Sequence, residues 1–119
     1  MKLRLKGNSI RLRLTQGELR QFALEGKVEE TVEFGPGKRG LVYALEAAEN
    51  VEALHADYES DRLRVIVPAA IAAAWASSDQ VGVESESDGR RISVEKDFAC
   101  LKPRPGEDES DMFPNPEPC

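Results

Sequence analysis

The sequence predicts a mostly β, α+β fold with two short helices, in which two fused ββαββ repeats close into one barrel. Residues 1–49 and 51–99 each show the order strand, strand, helix, strand, strand. A shift of 53 positions aligns apolar residues of the two units, such as Leu12 with Val65. Self-similarity at a fixed spacing indicates a repeated structural unit. One such unit buries little apolar surface, whereas two units can share a core.

The first predicted hairpin alternates leucine with basic residues. Leu3 and Leu5 are followed by the turn residues Gly7-Asn8-Ser9 and by a second alternating segment. Successive side chains of a strand point to opposite faces, so we expect the basic residues to share one face. These residues are Lys2, Arg4, Lys6, Arg11 and Arg13.

Capping residues delimit the first predicted helix. Thr15 is the expected N-cap, Glu18 completes a capping box, and Gly26 suits the C-terminal end. The second predicted helix is rich in alanine. Its Ile71 and Trp75 lie one turn apart, and we expect both to pack into the core.

A hairpin is predicted after each helix. The strands cover residues 28–34 and 41–45 in the first unit, and 81–85 and 91–94 in the second. Asp88-Gly89 is a strong signal for a two-residue turn. The 53-residue shift aligns Val28 with Val81 at the start of the two hairpins.

Composition predicts a soluble globular protein with a single compact domain. The 119 residues are 40% hydrophobic and 32% charged, which is typical of that class. The longest apolar run is too short to cross a bilayer, and the N-terminus lacks the apolar core of a signal peptide. We therefore expect a cytoplasmic protein without membrane contact. The net charge is −6, yet the first twenty residues hold six basic side chains and one acidic one, which favours a basic patch on an acidic body.

Several of these residues carry a resemblance to a known family. The opening Lys6-Gly7-Asn8-Ser9, followed by Arg11, Arg13 and a helix start, resembles the swapped-hairpin transition-state-regulator and MazE-type antitoxin domains. The segment RVIVPAAIAAAWASSDQVGVESESDGRRISVEKD is similar to the same pattern in its V-P start, its D-Q-V helix exit and its D-G hairpin. The chain also resembles a small uncharacterised bacterial family with a KGNSIRxRLT opening and an EKDFxCL segment.

This resemblance covers about residues 2–97 and implies a particular assembly. In the swapped-hairpin family, two identical chains interleave their hairpins into one barrel. Here the two halves would do so within one chain, as a monomeric pseudo-dimer. Exchange of hairpins between chains would instead give a homodimer.

The resemblance also implies DNA binding through the first hairpin. The candidate contacts are Lys6, Asn8, Arg11 and Arg13, with Lys2 and Arg4 as flanking phosphate contacts. A two-stranded ribbon can enter a major groove, where Arg and Asn contact base edges. The alternative is an ordinary solvent-exposed sheet face, on which Arg11 and Arg13 pair with Glu29 and Glu33.

Residues 100–119 form an acidic, proline-rich tail beyond the predicted barrel domain of residues 1–99. Such a composition does not form a core of its own. Antitoxins of the resembled family wrap a toxin with an acidic tail, so this tail is a candidate segment for binding a protein partner. The residues concerned are Asp108, Asp111, Met112 and Phe113, with Phe113 as the anchor. The alternatives are a solvated tail and a tail that folds back on the barrel.

No catalytic motif stands out, so we expect a protein that is not an enzyme and has no cofactor. The single histidine, His55, lies in a predicted strand on the same face as Asp57. Zinc binding by Cys100 and Cys119 is a weaker alternative, because their spacing matches no common zinc motif. The sequence therefore predicts a non-enzymatic binding module, a DNA-binding regulator or antitoxin-like protein by resemblance. The alternative is a protein-interaction or metal-binding accessory protein that uses the tail.

Overall fold

The computed structural model describes residues 1–98 and Phe113. In this part of the chain, the first half contains β1 (Lys2–Lys6), β2 (Ser9–Leu14), α1 (Gln16–Glu25), β3 (Lys27–Val32) and β4 (Leu41–Ala48). The second half contains β5 (His55–Glu59), β6 (Arg62–Pro68), α2 (Ala69–Ala76), β7 (Gly82–Ser87) and β8 (Arg90–Lys96). The predicted mostly β fold with two helices is confirmed.

Each sheet combines one hairpin from each half of the chain. Sheet A has the strand order β1-β2-β8-β7, and sheet B has the order β3-β4-β6-β5. The hairpins are antiparallel, whereas the central pairs β2–β8 and β4–β6 are parallel. Both sheets keep open edge strands within residues 1–98, so the strand pairing shows two four-stranded sheets and the closed barrel stays a prediction.

The pairing registers of the two sheets correspond. In sheet A, Leu12 of β2 lies beside Val94 of β8. In sheet B, Val65 of β6 lies beside Leu45 of β4. All four residues are buried, so each sheet directs the same positions of its central strands into the core.

The alignment of Val28 with Val81 is wrong. Val28 is buried and lies opposite Leu45, and the corresponding pair in the second half is Val83 and Val94. Val81 is 48% exposed and precedes the strand. The segment from the start of the helix to the start of the next strand is two residues longer in the second half, which displaces the alignment.

The core lies where the two helices meet the sheets. Phe22 of α1 and Trp75 of α2 are buried and contact each other, with ring centroids 6.2 Å apart. The expectation that Ile71 packs into the core is wrong, because it is 40% exposed. Ala72 and Trp75 face inward instead, with the same spacing as Leu19 and Phe22.

The predicted caps of α1 are confirmed. The Thr15 side chain accepts a hydrogen bond from the Glu18 amide at 3.4 Å, and Glu18 Oε1 accepts one from the Thr15 amide at 2.9 Å. Gly26 ends the helix with a φ of 74°, in the left-handed region that glycine tolerates. Glu18 Oε2 also contacts the buried amino group of Met1, which lies 3.1 Å from Glu30 Oε2. Among the described residues, no helix is long and apolar enough to span a membrane.

Candidate nucleic-acid interface

The outer surface of sheet A brings the predicted basic residues together. The β1–β2 register places Lys2 opposite Arg13 and Arg4 opposite Arg11. On the other side of β2, the parallel strand β8 contributes one more cation. We call this surface the basic face, formed by Lys2, Arg4, Lys6, Arg11, Arg13 and Arg91.

Charge changes sign across sheet A. The cations lie on β1, β2 and the start of β8, whereas the edge strand β7 carries Glu84 and Glu86 on the same side. Glu86 Oε2 lies 3.4 Å from Arg91 Nη2. The basic face is therefore about one β-ribbon wide and is bordered by acidic side chains.

A single carboxylate of β8 contacts two arginines of the basic face. Glu95 Oε1 lies 3.3 Å from Arg11 Nε, and Glu95 Oε2 lies 3.6 Å from Arg13 Nε. The alternative pairing of these arginines with Glu29 and Glu33 is wrong. β3 belongs to sheet B, so the neighbours of β2 are β1 and β8.

Arg91 and Glu95 also belong to this surface, although neither was among the residues predicted for it. The alternation of Arg91, Ser93 and Glu95 along the segment RRISVEK predicts that the three share a strand face. It does not predict which strand lies beside them. The parallel pairing that sets Ser9 beside Arg91 joins segments from opposite ends of the domain.

Two of the residues predicted to contact DNA, Lys2 and Asn8, have partners within the protein. Lys2 Nζ lies 3.1 Å from Oδ2 of Asp97, whose side chain is only 7% exposed. Asn8 lies in the turn after Gly7, which has a φ of 54°, and its carbonyl accepts a hydrogen bond from the Arg91 amide at 3.0 Å. These contacts join Lys2 to the residue after β8 and the β1–β2 turn to the start of β8.

Arg4 and Lys6 are the free cations of the basic face. Both are exposed, and neither side chain has an ion pair or hydrogen bond within residues 1–98. They border a cleft of about 220 Å³. The cleft is lined by Arg4, Lys6, Ser9, Ile10, Arg11, Arg91 and Ser93.

The corresponding surface of sheet B is neutralised. Arg64 occupies the position equivalent to Arg11, and Asp57 on the edge strand β5 occupies the position equivalent to Arg4. Arg64 donates to both carboxylate oxygens of Asp57 at 3.0 and 2.6 Å, which lowers the pKa of Asp57 below its ordinary value. Arg62 Nη1 lies 2.6 Å from Glu29 Oε2, and this contact, with a smaller one from Lys27, lowers the pKa of Glu29.

Phe113 is the one predicted tail residue that the structure describes. Its amide donates to the Asp97 carbonyl at 2.9 Å, and its ring lies 5.7 Å from that of Phe98, centroid to centroid. The Lys96 ammonium lies 5.5 Å from the Phe113 ring centroid. Phe113 thus contacts its own chain at the end of β8. The other residues proposed for the tail, Asp108, Asp111, Met112, Cys100 and Cys119, lie outside the described residues.

His55 is exposed at the start of β5, with Nδ1 3.1 Å from the Ala53 carbonyl oxygen. Within residues 1–98 and Phe113, no three His, Cys, Asp or Glu side chains are grouped as metal ligands would be. The proposed zinc site at Cys100 and Cys119 stays a prediction.

Comparison with known proteins gives a family and no activity. No curated protein matches the chain, and no solved structure matches it. A family profile matches residues 1–117, so the chain belongs to DUF7009, a family of unknown function.

Proposed function

We propose that this protein is a small, non-enzymatic cytoplasmic module that binds DNA through the basic face, as a regulator or an antitoxin-like protein. The observation that supports this most strongly is the placement of Arg4 directly opposite Arg11, with Arg4 and Lys6 unpaired within residues 1–98. Like charges directly opposite on neighbouring strands destabilise a sheet. Sheet B avoids this cost by pairing Arg64 with Asp57. In sheet A, a bound external polyanion would offset the cost of placing Arg4 opposite Arg11.

The proposal includes a one-chain, swapped-hairpin barrel. Each sheet takes one hairpin from each half, and corresponding residues of the central strands face the core. Phe22 and Trp75, at equivalent helix positions, meet in that core. These features support an interleaved pseudo-dimer of the kind that the sequence resemblance implies.

The basic face suits a duplex groove in size and charge. Neighbouring strands are about 4.8 Å apart, so a two-stranded ribbon fits a major groove about 12 Å wide. Lys and Arg side chains on such a ribbon contact phosphates and give salt-dependent affinity. Glu84 and Glu86 would repel phosphates, so the β1 edge, rather than the β7 edge, approaches the DNA.

The experiment is a titration of nucleic-acid-free protein into a fluorescently labelled, random-sequence DNA duplex, at several salt concentrations. We expect the double variant Arg4→Ala/Lys6→Ala to weaken binding at least tenfold at low salt. The slope of log K against log salt should fall by about 0.9 for each phosphate contact that the substitutions remove.

A matched control is the double variant Arg20→Ala/Lys38→Ala, which removes the same charge from exposed positions outside the basic face. It should bind nearly as well as the wild type. Absence of wild-type binding at low salt would contradict the proposal, as would equally weakened binding in both double variants.

A further inference from the structure

Glu95 contacts two arginines of the basic face, and in each arginine the contacting atom is Nε. Its two carboxylate oxygens lie nearest the Nε atoms of Arg11 and Arg13, one oxygen to each. Within residues 1–98, no hydrogen bond engages the terminal Nη atoms of either guanidinium, and the two side chains are 37% and 41% exposed. In both guanidinium groups, Nε thus forms an ion pair with Glu95, and the Nη atoms have no hydrogen bond within residues 1–98.

The equivalent arginine of sheet B is used differently. Arg64 donates through Nε and Nη2 to Asp57, and its Nη1 lies 3.5 Å from Glu46, the residue equivalent to Glu95. All three nitrogens of Arg64 thus have partners inside the protein. Arg11 contacts Glu95, as Arg64 contacts Glu46. Arg11 has no partner equivalent to Asp57, because Arg4 occupies that position.

We propose that Glu95 is a positioning residue of the DNA-binding surface. By holding Nε of Arg11 and Nε of Arg13, it directs the two Nη pairs toward solvent, where each can contact two oxygens of one phosphodiester. Bidentate contact of this kind is the preferred geometry of arginine with phosphate. Arg11 and Arg13 lie two residues apart on one strand, so their guanidinium groups are about 7 Å apart and can contact successive phosphates. This inference rests on the proposed function.

A purely electrostatic role for Glu95 predicts the opposite effect on binding. A carboxylate beside two arginines lowers the positive potential that attracts phosphates, so its removal should strengthen binding. A positioning carboxylate, in contrast, reduces the side-chain freedom that is given up when the arginines bind, so its removal should weaken binding. The sign of the change separates the two roles.

The test is the variant Glu95→Gln in the full chain, titrated into the same labelled duplex. We expect affinity to fall about tenfold although the protein gains positive charge, since ordering two long side chains then opposes binding. The matched control is Glu84→Gln, which makes the same charge change on the same sheet face and has no ion pair within residues 1–98. It should bind as tightly as the wild type or more tightly.

A second variant, Arg11→Lys, keeps the positive charge and removes the guanidinium group that makes bidentate contacts. We expect its affinity to fall about tenfold. Combined with Glu95→Gln, the total loss should be smaller than the sum of the two separate losses, because both changes disable Arg11 and only Glu95→Gln also releases Arg13. Trp75 fluorescence reports whether each variant is folded. Should Glu95→Gln fail to fold, Arg11→Lys decides alone.

Binding by Glu95→Gln that equals or exceeds that of the wild type would overturn the inference and leave the proposed function intact, as would undiminished binding by Arg11→Lys. Absence of binding by the wild type and by every variant would instead reject the proposed function, and the inference with it.

Discussion

Arg4 and Arg11 lie directly opposite each other on adjacent antiparallel strands, and like charges in this arrangement destabilise a sheet. At the equivalent positions of sheet B, Asp57 and Arg64 form a bidentate ion pair. A single side chain thus distinguishes a surface whose cations are paired within the protein from one on which Arg4 and Lys6 have no partner within residues 1–98. Under the proposed function, stability and DNA binding make opposite demands on position 4.

The substitution Arg4→Glu should therefore stabilise the protein while weakening DNA binding. An oppositely charged pair in place of a like-charged one contributes about 0.2–1 kcal/mol to the free energy of unfolding. Urea denaturation measures this gain. The control Lys6→Glu makes the same charge change opposite Ser9, so it should gain less. Equal gains in the two variants would mean that the cross-strand pair is unimportant.

Tyr43 should remain protonated to high pH. Burial, and after it the hydrogen bond of 2.8 Å that its hydroxyl donates to Glu30 Oε2, together raise the pKa of Tyr43 to about 12. Because the fold favours the protonated phenol, this contribution to stability is complete below the ordinary tyrosine pKa of about 10 and is lost as pH rises through about 12.

A spectrophotometric titration of tyrosinate absorbance tests this prediction. The wild type should show an absorbance step near pH 12 that is missing in Tyr43→Phe. In Glu30→Gln, the step should move to lower pH, because the carboxylate that disfavours the phenolate is gone. Completion of the wild-type titration by about pH 11 would contradict the prediction.

Among the elements, helix α1 carries in its first turn a residue with two functions. Glu18 closes the capping box with Thr15 through one carboxylate oxygen and contacts the Met1 amino group through the other. The cap fixes where the helix starts, and the second contact ties the chain before β1 to that start. Helix α2, which begins after Pro68, has no side-chain cap and depends on packing instead.

The variants Glu18→Gln and Glu18→Ala separate these two functions. Glutamine preserves a capping box and removes the charge, whereas alanine removes both. We expect Glu18→Ala to lower the free energy of unfolding by about 1 kcal/mol more than Glu18→Gln does. Urea denaturation monitored by circular dichroism measures the difference. Equal effects would show that the cap contributes nothing to stability.

In the whole molecule, neither half supplies all the strands of a sheet. Sheet A needs β7 and β8 from the second half, and sheet B needs β3 and β4 from the first. The core is shared in the same way, because Phe22 and Trp75 contact each other across the two halves. Loss of either half would remove the partner strands of both central pairs.

Unfolding should therefore be a single cooperative transition. Trp75 is the single tryptophan and is fully buried in the second half, so its fluorescence can be compared with far-UV circular dichroism of the whole chain. We expect coincident urea transitions, and we expect Leu12→Ala in the first half to shift both by the same amount. Two separated transitions would contradict the interleaved core.

The local structure was predictable because it depends on residues close together in the chain. The alternation of Leu3 and Leu5 with cations indicated a β1 hairpin with a basic face, and the Thr15 capping box located α1. Asp88-Gly89 indicated the last turn, where both residues have the positive φ that such a turn requires. Each of these features spans only a few residues and needs no knowledge of the rest of the fold.

The order of the elements, the capping of α1 and the charged side of each strand follow from local sequence patterns. The position of β2 beside β8 is set by the tertiary fold, which thereby brings Glu95, rather than Glu29 or Glu33, into contact with Arg11. Parallel pairing between distant segments follows from burial of the complete core, to which every strand contributes. The partners of a charged side chain are therefore set by the fold as a whole, while the side chain's own face is set by local alternation.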